Sequence, residues 1–465
     1  MVASLCRGVA YDYPEPRKCA LGGRAKLART STRAKVSLPA RTRHRPGSTG
    51  KGDRVLMQRL ETLIIGGGQA GLTMSHRLSQ RGCPHLVLER GRIAERWRSE
   101  RWHGLRFQFP NWSVKLPDFP FPHSDADEFA TSAEIVDFLE GYAAHVKCPV
   151  RCGTGVTALR RDDSGEAYLA LTSAGSIAAR NVVIATGPYQ RPLVPDLLEN
   201  PDLAQLHANA YKAPEHLPTG AVLIVGSGAS GAQIAEELVR AGRKVYLSVG
   251  RHKRMPRRYR GHDLIWWLTE MGLDQTPVER RGADTTLPLI TGAYGGHTID
   301  FRAFAKQGIS LLGRLQGGRG STLEFADDLG QSLAYGDAAY HAFLDGVDAH
   351  IKQKGMELAL EPAARMGLPD PPCLTAPIRQ LDIRRAQLGS LIWATGYTFD
   401  FSWIDLPVLN VKGYPRHERG VAPLPGLYFL GLPWLTKMNS SFLSGVGDDA
   451  AQLANHIETA MRTSP

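Results

Sequence analysis

One short pattern occurs twice in this chain, and it constrains the fold more than any other feature. An apolar run ends in a turn with the spacing G-x-G-x-x-G, and a stretch of helical period follows. The first copy is the run 62–66 (TLIIG), the turn Gly66-Gly67-Gly68-Gln69-Ala70-Gly71, a helix expected over 72–81 and a strand over 85–89 (HLVLE). The second is 221–226 (AVLIVG), the turn Gly226-Ser227-Gly228-Ala229-Ser230-Gly231, a helix expected over 232–240 and a strand over 244–249. In such a turn the first glycine permits the tight exit from the strand. The second lets the backbone approach a pyrophosphate, and the third lets the helix pack on the strand. The fold class that follows is α/β, with two dinucleotide-binding, Rossmann-like domains.

The two copies differ at the end of the second strand. Twenty-three residues after Gly66 stands Glu89, where a carboxylate accepts hydrogen bonds from a ribose diol. Gly66, Gly68, Gln69, Ala70, Gly71 and Glu89, with Arg90 beside it, therefore read as an FAD site. The same count from Gly226 reaches Val249, and the next charged residues are Arg251-His252-Lys253-Arg254. A missing acid and nearby cations favour a 2′-phosphate over a 2′-hydroxyl. Gly226, Gly228, Ser230, Gly231 and Arg251 then read as an NADPH site, the plain alternative being a solvated basic turn.

Two further apolar runs end alike, in Ala185-Thr186-Gly187 and Ala394-Thr395-Gly396, and proline-rich stretches (PYQRPLVP, PDPPCLTAP) lie nearby. These mark crossings between lobes. The expected order is an FAD domain over 57–188, an inserted NADPH domain over 189–388, and a second FAD part over 389–465. The glycine-rich region 279–330 has no period and receives no assignment.

Composition narrows the function. Residues 1–59 hold 14 Lys or Arg against 3 Asp or Glu, an excess equal to the whole net charge of +11. The remainder is neutral, so no nucleic-acid face is expected there. Residues 1–56 are rich in Arg, Ser, Thr and Pro and poor in large apolar side chains, which predicts a disordered basic extension. It reads as a targeting peptide, a basic arm or a dispensable leader, with Met57 as an alternative start. No apolar stretch reaches membrane-spanning length. Six cysteines lie without C-x-x-C or zinc spacing, which predicts no metal site and a reducing cytoplasm.

Several segments carry a resemblance. Glu95-Arg96-Trp97-Arg98, Phe109-Pro110-Asn111-Trp112 followed by LPDFPFP, the segment LIWATGY and the C-terminal LYFLG with SGVGDDAAQLANHI are similar to those of the class B flavoprotein monooxygenases. The family's motif F-x-G-x-x-x-H-x-x-x-[YF] is half present: His207 and Tyr211 fit, while Pro201 and Leu203 replace the aromatic and the glycine. The resemblance implies FAD and NADPH as cofactors, a flavin hydroperoxide as oxygen donor, and a small molecule plus oxygen as partners. It implies N- or S-oxidation (N,N-dimethylaniline monooxygenase-like) or Baeyer–Villiger-type insertion, and it is compatible with a homodimer. It makes Asn111 the catalytic residue beside the flavin, against a turn-forming reading. Trp97 is either a flavin-lining or a core residue. Trp266-Trp267 reads as part of an amphipathic core helix, and Asp448 as the cap of a final helix. Two rival functions stay open: an NADPH reductase or oxidase, and a non-catalytic redox sensor.

Overall fold

The apolar run before the first glycine turn forms strand β1 (Gln58–Ile65), whose last four residues are buried. It enters helix α1 (Gln69–Ser79) directly, and β2 (His85–Leu88) pairs with β1 in parallel. This computed structural model describes residues 58–198, 203–284 and 286–463. The basic extension, Met57 and Pro201 lie outside the described residues. Helix α2 (Glu95–Ser99) and helix α3 (Ser132–His145) follow. Thr131 and Glu134 close a reciprocal capping box on α3, satisfying N–H groups that its first turn would leave open. Strands β3 (Val150–Arg151), β4 (Val156–Arg161), β5 (Tyr168–Thr172) and β6 (Gly175–Ile184) complete the sheet in the order β3-β2-β1-β6-β5-β4.

The second lobe repeats the plan. Strands β7 (Ala204–His207) and β8 (Ala221–Val225), helix α4 (Ala229–Arg240), β9 (Val245–Ser248), helix α5 (Leu264–Glu270), β10 (Ser310–Leu312), helix α6 (Leu329–Lys354) and β11 (Leu388–Trp393) build it. Its sheet is parallel throughout, in the order β7-β11-β8-β9-β10. Such strands are apolar along their whole length because helices cover both faces; β8 is buried at all five positions. Helices α5 and α6 share a separate core around Trp267, Phe343 and Leu344. The chain then returns to the first sheet through β12 (Leu427–Phe429), parallel to β6, and ends in helix α7 (Val446–Thr463), which packs on α1.

One boundary departs from expectation. Residues 389–393, expected to open the second FAD part, belong to β11 and are hydrogen-bonded to β7 and β8. The return therefore follows Trp393. Both crossings meet each other: Arg191–Pro192 pairs antiparallel with Tyr397–Thr398, and Leu193 N donates to Gly396 O at 3.0 Å. We propose the remaining domain limits as expected from sequence. The unassigned region holds a short helix (Phe301–Lys306), strand β10 and a hairpin (Leu315–Arg319, Thr322–Phe325) rather than one period, which is why no period was legible. Among the described residues, no helix is long and apolar enough to cross a membrane.

Candidate active site

The two glycine turns adopt the same geometry. Gly66 has φ +116° and Gly226 φ +107°, and a Cβ on either would stand 2.5 Å from a carbonyl oxygen, that of Ala185 or Ala394 respectively. A Cβ on Gly71 would lie 1.8 Å from Gly66 O, and one on Gly231 1.9 Å from Gly226 O. All four contacts are closer than any side chain tolerates, so glycine is required by the backbone packing itself. The two Ala-Thr-Gly segments are therefore counterparts, each passing under one turn: Ala185 N donates to Ile65 O and Ala394 N to Val225 O, both at 2.8 Å.

Gly68 and Gly228 behave differently. A Cβ at either meets nothing within 4 Å. Each is the N-cap of its helix, no side chain caps α1 or α4, and neither helix has an acid in its first turn. These helices begin three residues before the first apolar position, where the pattern predicts them to start. The structure starts them at the glycine turn, so their free N–H groups and positive dipole ends face open space beside a residue without a side chain. Both cradles fit a pyrophosphate.

In the first cradle Glu89 Oε2 accepts from Gly67 N at 2.7 Å, and Oε1 accepts from Gly91 N at 2.9 Å. The carboxylate is thereby fixed at the rim, its remaining lone pairs available to a ribose diol. Gln69 Nε2 donates to Ser441 O at 2.7 Å, tying α1 to the loop before α7, and Ala70 packs against Gly431. Arg90 is exposed next to Gly155. Trp97, half-buried on α2, meets Phe107 edge-on at 5.6 Å and carries the Arg101 guanidinium over its ring at 5.1 Å.

In the second cradle Val249 is fully buried in the position where the first carries Glu89, and Gly250 N donates to Ser227 Oγ at 3.0 Å. The basic run divides. Arg254 is paired with Asp300 and Asp337. His252 is buried, shares a 3.0 Å hydrogen bond with Gly250 O, and burial lowers its pKa, so it stays neutral. Arg251 lies 3.6 Å from Asp284 and 4.1 Å over the Tyr335 ring, and Lys253 lies 3.1 Å from the same Asp284. Burial works against ionisation of Asp284, but hydrogen bonds from Tyr335 and Thr286 and the Lys253 charge hold its carboxyl at about 2. Asp284 and Tyr335 carry no signal in the local sequence, since they reach Arg251 from more than thirty residues away.

One cavity of about 740 Å³ is lined by residues of both glycine turns. Gln69, Trp97 and Phe107 line it from the first lobe, Ser227, Gly228, Ser230 and Arg251 from the second, and Thr395, Gly396 and Tyr397 from the crossing. His207, one of the two surviving motif residues, also lines it. One ring nitrogen is 2.9 Å from Gly396 O, linking β7 to the crossing, while Tyr211 donates to Glu237 at 3.1 Å inside the second lobe. Leu268, Leu287, Ile290, Met438 and Phe442 form an apolar wall.

Asn111 is absent from the lining of this cavity. It lines a separate cleft of about 640 Å³ with Asp125 and Glu128. Its Nδ2 donates to Asp125 O at 3.0 Å and its backbone N to Glu128 O at 2.9 Å, which makes it the buried anchor of the turn Asn111–Ser113. Phe109, Ser113 and Val114, its neighbours, line the main cavity instead. Asp448 is not a cap: it lies within the first turn of α7 and pairs with Lys437, whereas Asp449, unnoticed in the sequence, is buried and bonded to Thr436. Trp267 is fully buried, its Nε1 donating to Tyr259 O at 2.8 Å, so it belongs to the core of α5 as expected.

Two dinucleotide cradles, one in a mixed sheet and one in a parallel sheet, with residues of both turns lining one cavity, define a flavoprotein oxidoreductase of the two-dinucleotide-fold class. The model for the pyridine nucleotide-disulphide oxidoreductase family matches residues 63–268. A protein of Geobacillus kaustophilus described as an uncharacterized CzcO-like oxidoreductase is 32% identical over 403 residues, covering 86% of this chain and 98% of that one. The probable indole-3-pyruvate monooxygenase YUCCA1 of Arabidopsis thaliana is 32% identical over 192 residues, 40% of this chain and 46% of that one. Among solved structures, the flavin-containing monooxygenase of Stenotrophomonas maltophilia superimposes with a TM-score of 0.60 at 18% identity, over 87% of this chain and all of that one. This chain belongs to the CzcO-like oxidoreductases. The two cradles are of the kind that hold FAD and a nicotinamide dinucleotide.

Proposed function

We propose that the protein is an NADPH-dependent, FAD-containing monooxygenase that places one atom of dioxygen on a small molecule. The observation that carries this reading is the shared cavity: residues of both glycine turns, Gln69 from one and Ser227 to Ser230 from the other, line the same space. Bound FAD, reduced by the nicotinamide, supplies the reaction with dioxygen that leaves one oxygen on the substrate and one in water. Two electrons come from NADPH and two from the substrate.

The chain's own part is holding and shielding. The N-terminus of α1 binds the flavin's pyrophosphate and Glu89 its ribose. The N-terminus of α4 binds that of the coenzyme, with Arg251 and Lys253 at the 2′-phosphate and Val249 offering no acid to repel it. Trp97, Phe107 and Phe442 exclude water from the reacting centre. No cysteine lines the cavity among the described residues, so no thiol stands where a disulfide reductase needs one. The four described cysteines are all free, in keeping with a reducing compartment.

An oxygen-isotope experiment tests the reading. With NADPH and ¹⁸O₂, a panel of methyl phenyl sulfide, N,N-dimethylaniline and cyclohexanone is expected to yield at least one product carrying a single ¹⁸O atom. NADPH consumption that gives only hydrogen peroxide with every compound identifies an oxidase instead.

A further inference from the structure

Arg106 belongs to the walls of both cavities: the one shared by the two cradles and the acid-rimmed cleft that holds Asn111. Its backbone is fixed, since Arg106 bridges to Thr131 and Phe107 N donates to Ala130 O at 2.7 Å. Its side chain is exposed and makes no hydrogen bond or ion pair among the described residues.

The other charges of the main cavity are committed. Glu100 is paired with Arg96 at 2.6 Å. Arg101 lies over Trp97 and Tyr189 and donates to Glu100 O at 3.0 Å. Arg251 is engaged by Asp284 and Tyr335 beside the second cradle. On the cleft side, Arg106 faces Asp125, Glu128 and Glu134. Glu134 is already occupied as the acceptor of the Thr131 N–H and hydroxyl, at 2.7 and 2.8 Å. Arg106 is near enough to act on it by charge alone. On the cavity side it shares the lining with the apolar residues Leu268, Leu287, Ile290, Met438 and Phe442, of which Leu287 is 53% exposed. A planar cation with five donors at the edge of such a wall suits a carboxylate or sulfonate on an apolar body.

We propose that Arg106 is a specificity-determining residue that holds the anionic group of an amphipathic substrate, whose apolar part lies against the Leu268–Phe442 wall. This inference rests on the flavin reading of the cavity. It assigns the substrate class as an apolar molecule ending in a single negative charge. The acids of the neighbouring cleft repel that charge, so the anion approaches Arg106 from the cavity side.

The test uses the FAD-loaded, full-length protein and two probes of one shape, 4-phenylbutyrate and 4-phenylbutyramide, titrated by their perturbation of the visible flavin spectrum. The carboxylate is expected to bind about tenfold more tightly than the amide. Arg106→Ala is expected to erase that preference and leave amide binding unchanged, and Arg106→Lys to retain part of it. Because Arg106 is exposed and unpaired, FAD content serves as the folding control and stays at the wild-type level. Equal binding of both probes, binding of neither, or equal weakening of both by Arg106→Ala overturns the proposal. A preparation that takes up no FAD sinks the underlying functional reading instead, and the two failures are separately visible.

Discussion

Alanine at Gly68 is expected to give a folded protein that loses FAD, with affinity down about a hundredfold, roughly 2.7 kcal/mol. The added methyl meets no protein atom within 4 Å, so the chain has no reason to destabilise. It does fill the space through which a pyrophosphate reaches the first N–H groups of α1, and those hydrogen bonds to an anion are the strong, charge-assisted kind. Gly228→Ala is the matched experiment. It is expected to keep the yellow colour and to lose reduction by NADPH, while dithionite still reduces the flavin. Equilibrium dialysis of FAD and anaerobic spectrophotometry read the two effects separately. Wild-type FAD retention in Gly68→Ala removes the phosphate from the first cradle, and wild-type reduction in Gly228→Ala removes it from the second. Gly71→Ala and Gly231→Ala are less informative, because a methyl 1.8 or 1.9 Å from a carbonyl oxygen damages fold and binding together.

The second large effect concerns the coenzyme's phosphate. Arg251→Ala is expected to raise the KM for NADPH about thirtyfold, near 2 kcal/mol, and to change that for NADH less than about twofold. Val249 leaves no carboxylate to favour NADH, so the whole preference rests on Arg251 and Lys253. Asp284 is ionised throughout the neutral range, since its carboxyl titrates at about 2, and it offsets one of these two charges. Asp284→Asn is accordingly expected to tighten NADPH severalfold. Arg251 is partly exposed, so added salt narrows the gap between the two coenzymes. An equal loss for NADPH and NADH in Arg251→Ala places the 2′-phosphate elsewhere.

What was legible in the sequence was whatever local spacing dictates. Gly66, Gly71, Gly226 and Gly231 announce themselves because each must pass a backbone oxygen within a few residues or under one neighbouring strand. Glu89 follows from a fixed count along one strand–helix–strand unit. The Ala-Thr-Gly segments read correctly as crossings, yet strand β11 went to the wrong lobe. An apolar run shows that it is buried but not in which sheet it pairs. Asn111 was legible only as a turn: its motif fixes the turn, while the direction of its side chain depends on carbonyls at Asp125 and Glu128 that the loop brings back. The partners of Arg251 and the position of Arg106 between two cavities are likewise products of long-range packing, with no local signal.

The most direct test of the two-cradle account is an anaerobic mixing experiment on the purified full-length chain. One FAD per chain is expected, and NADPH is expected to bleach its visible band completely, with NADH far less effective. A protein that takes up no FAD, or whose bound FAD neither coenzyme reduces, contradicts the account.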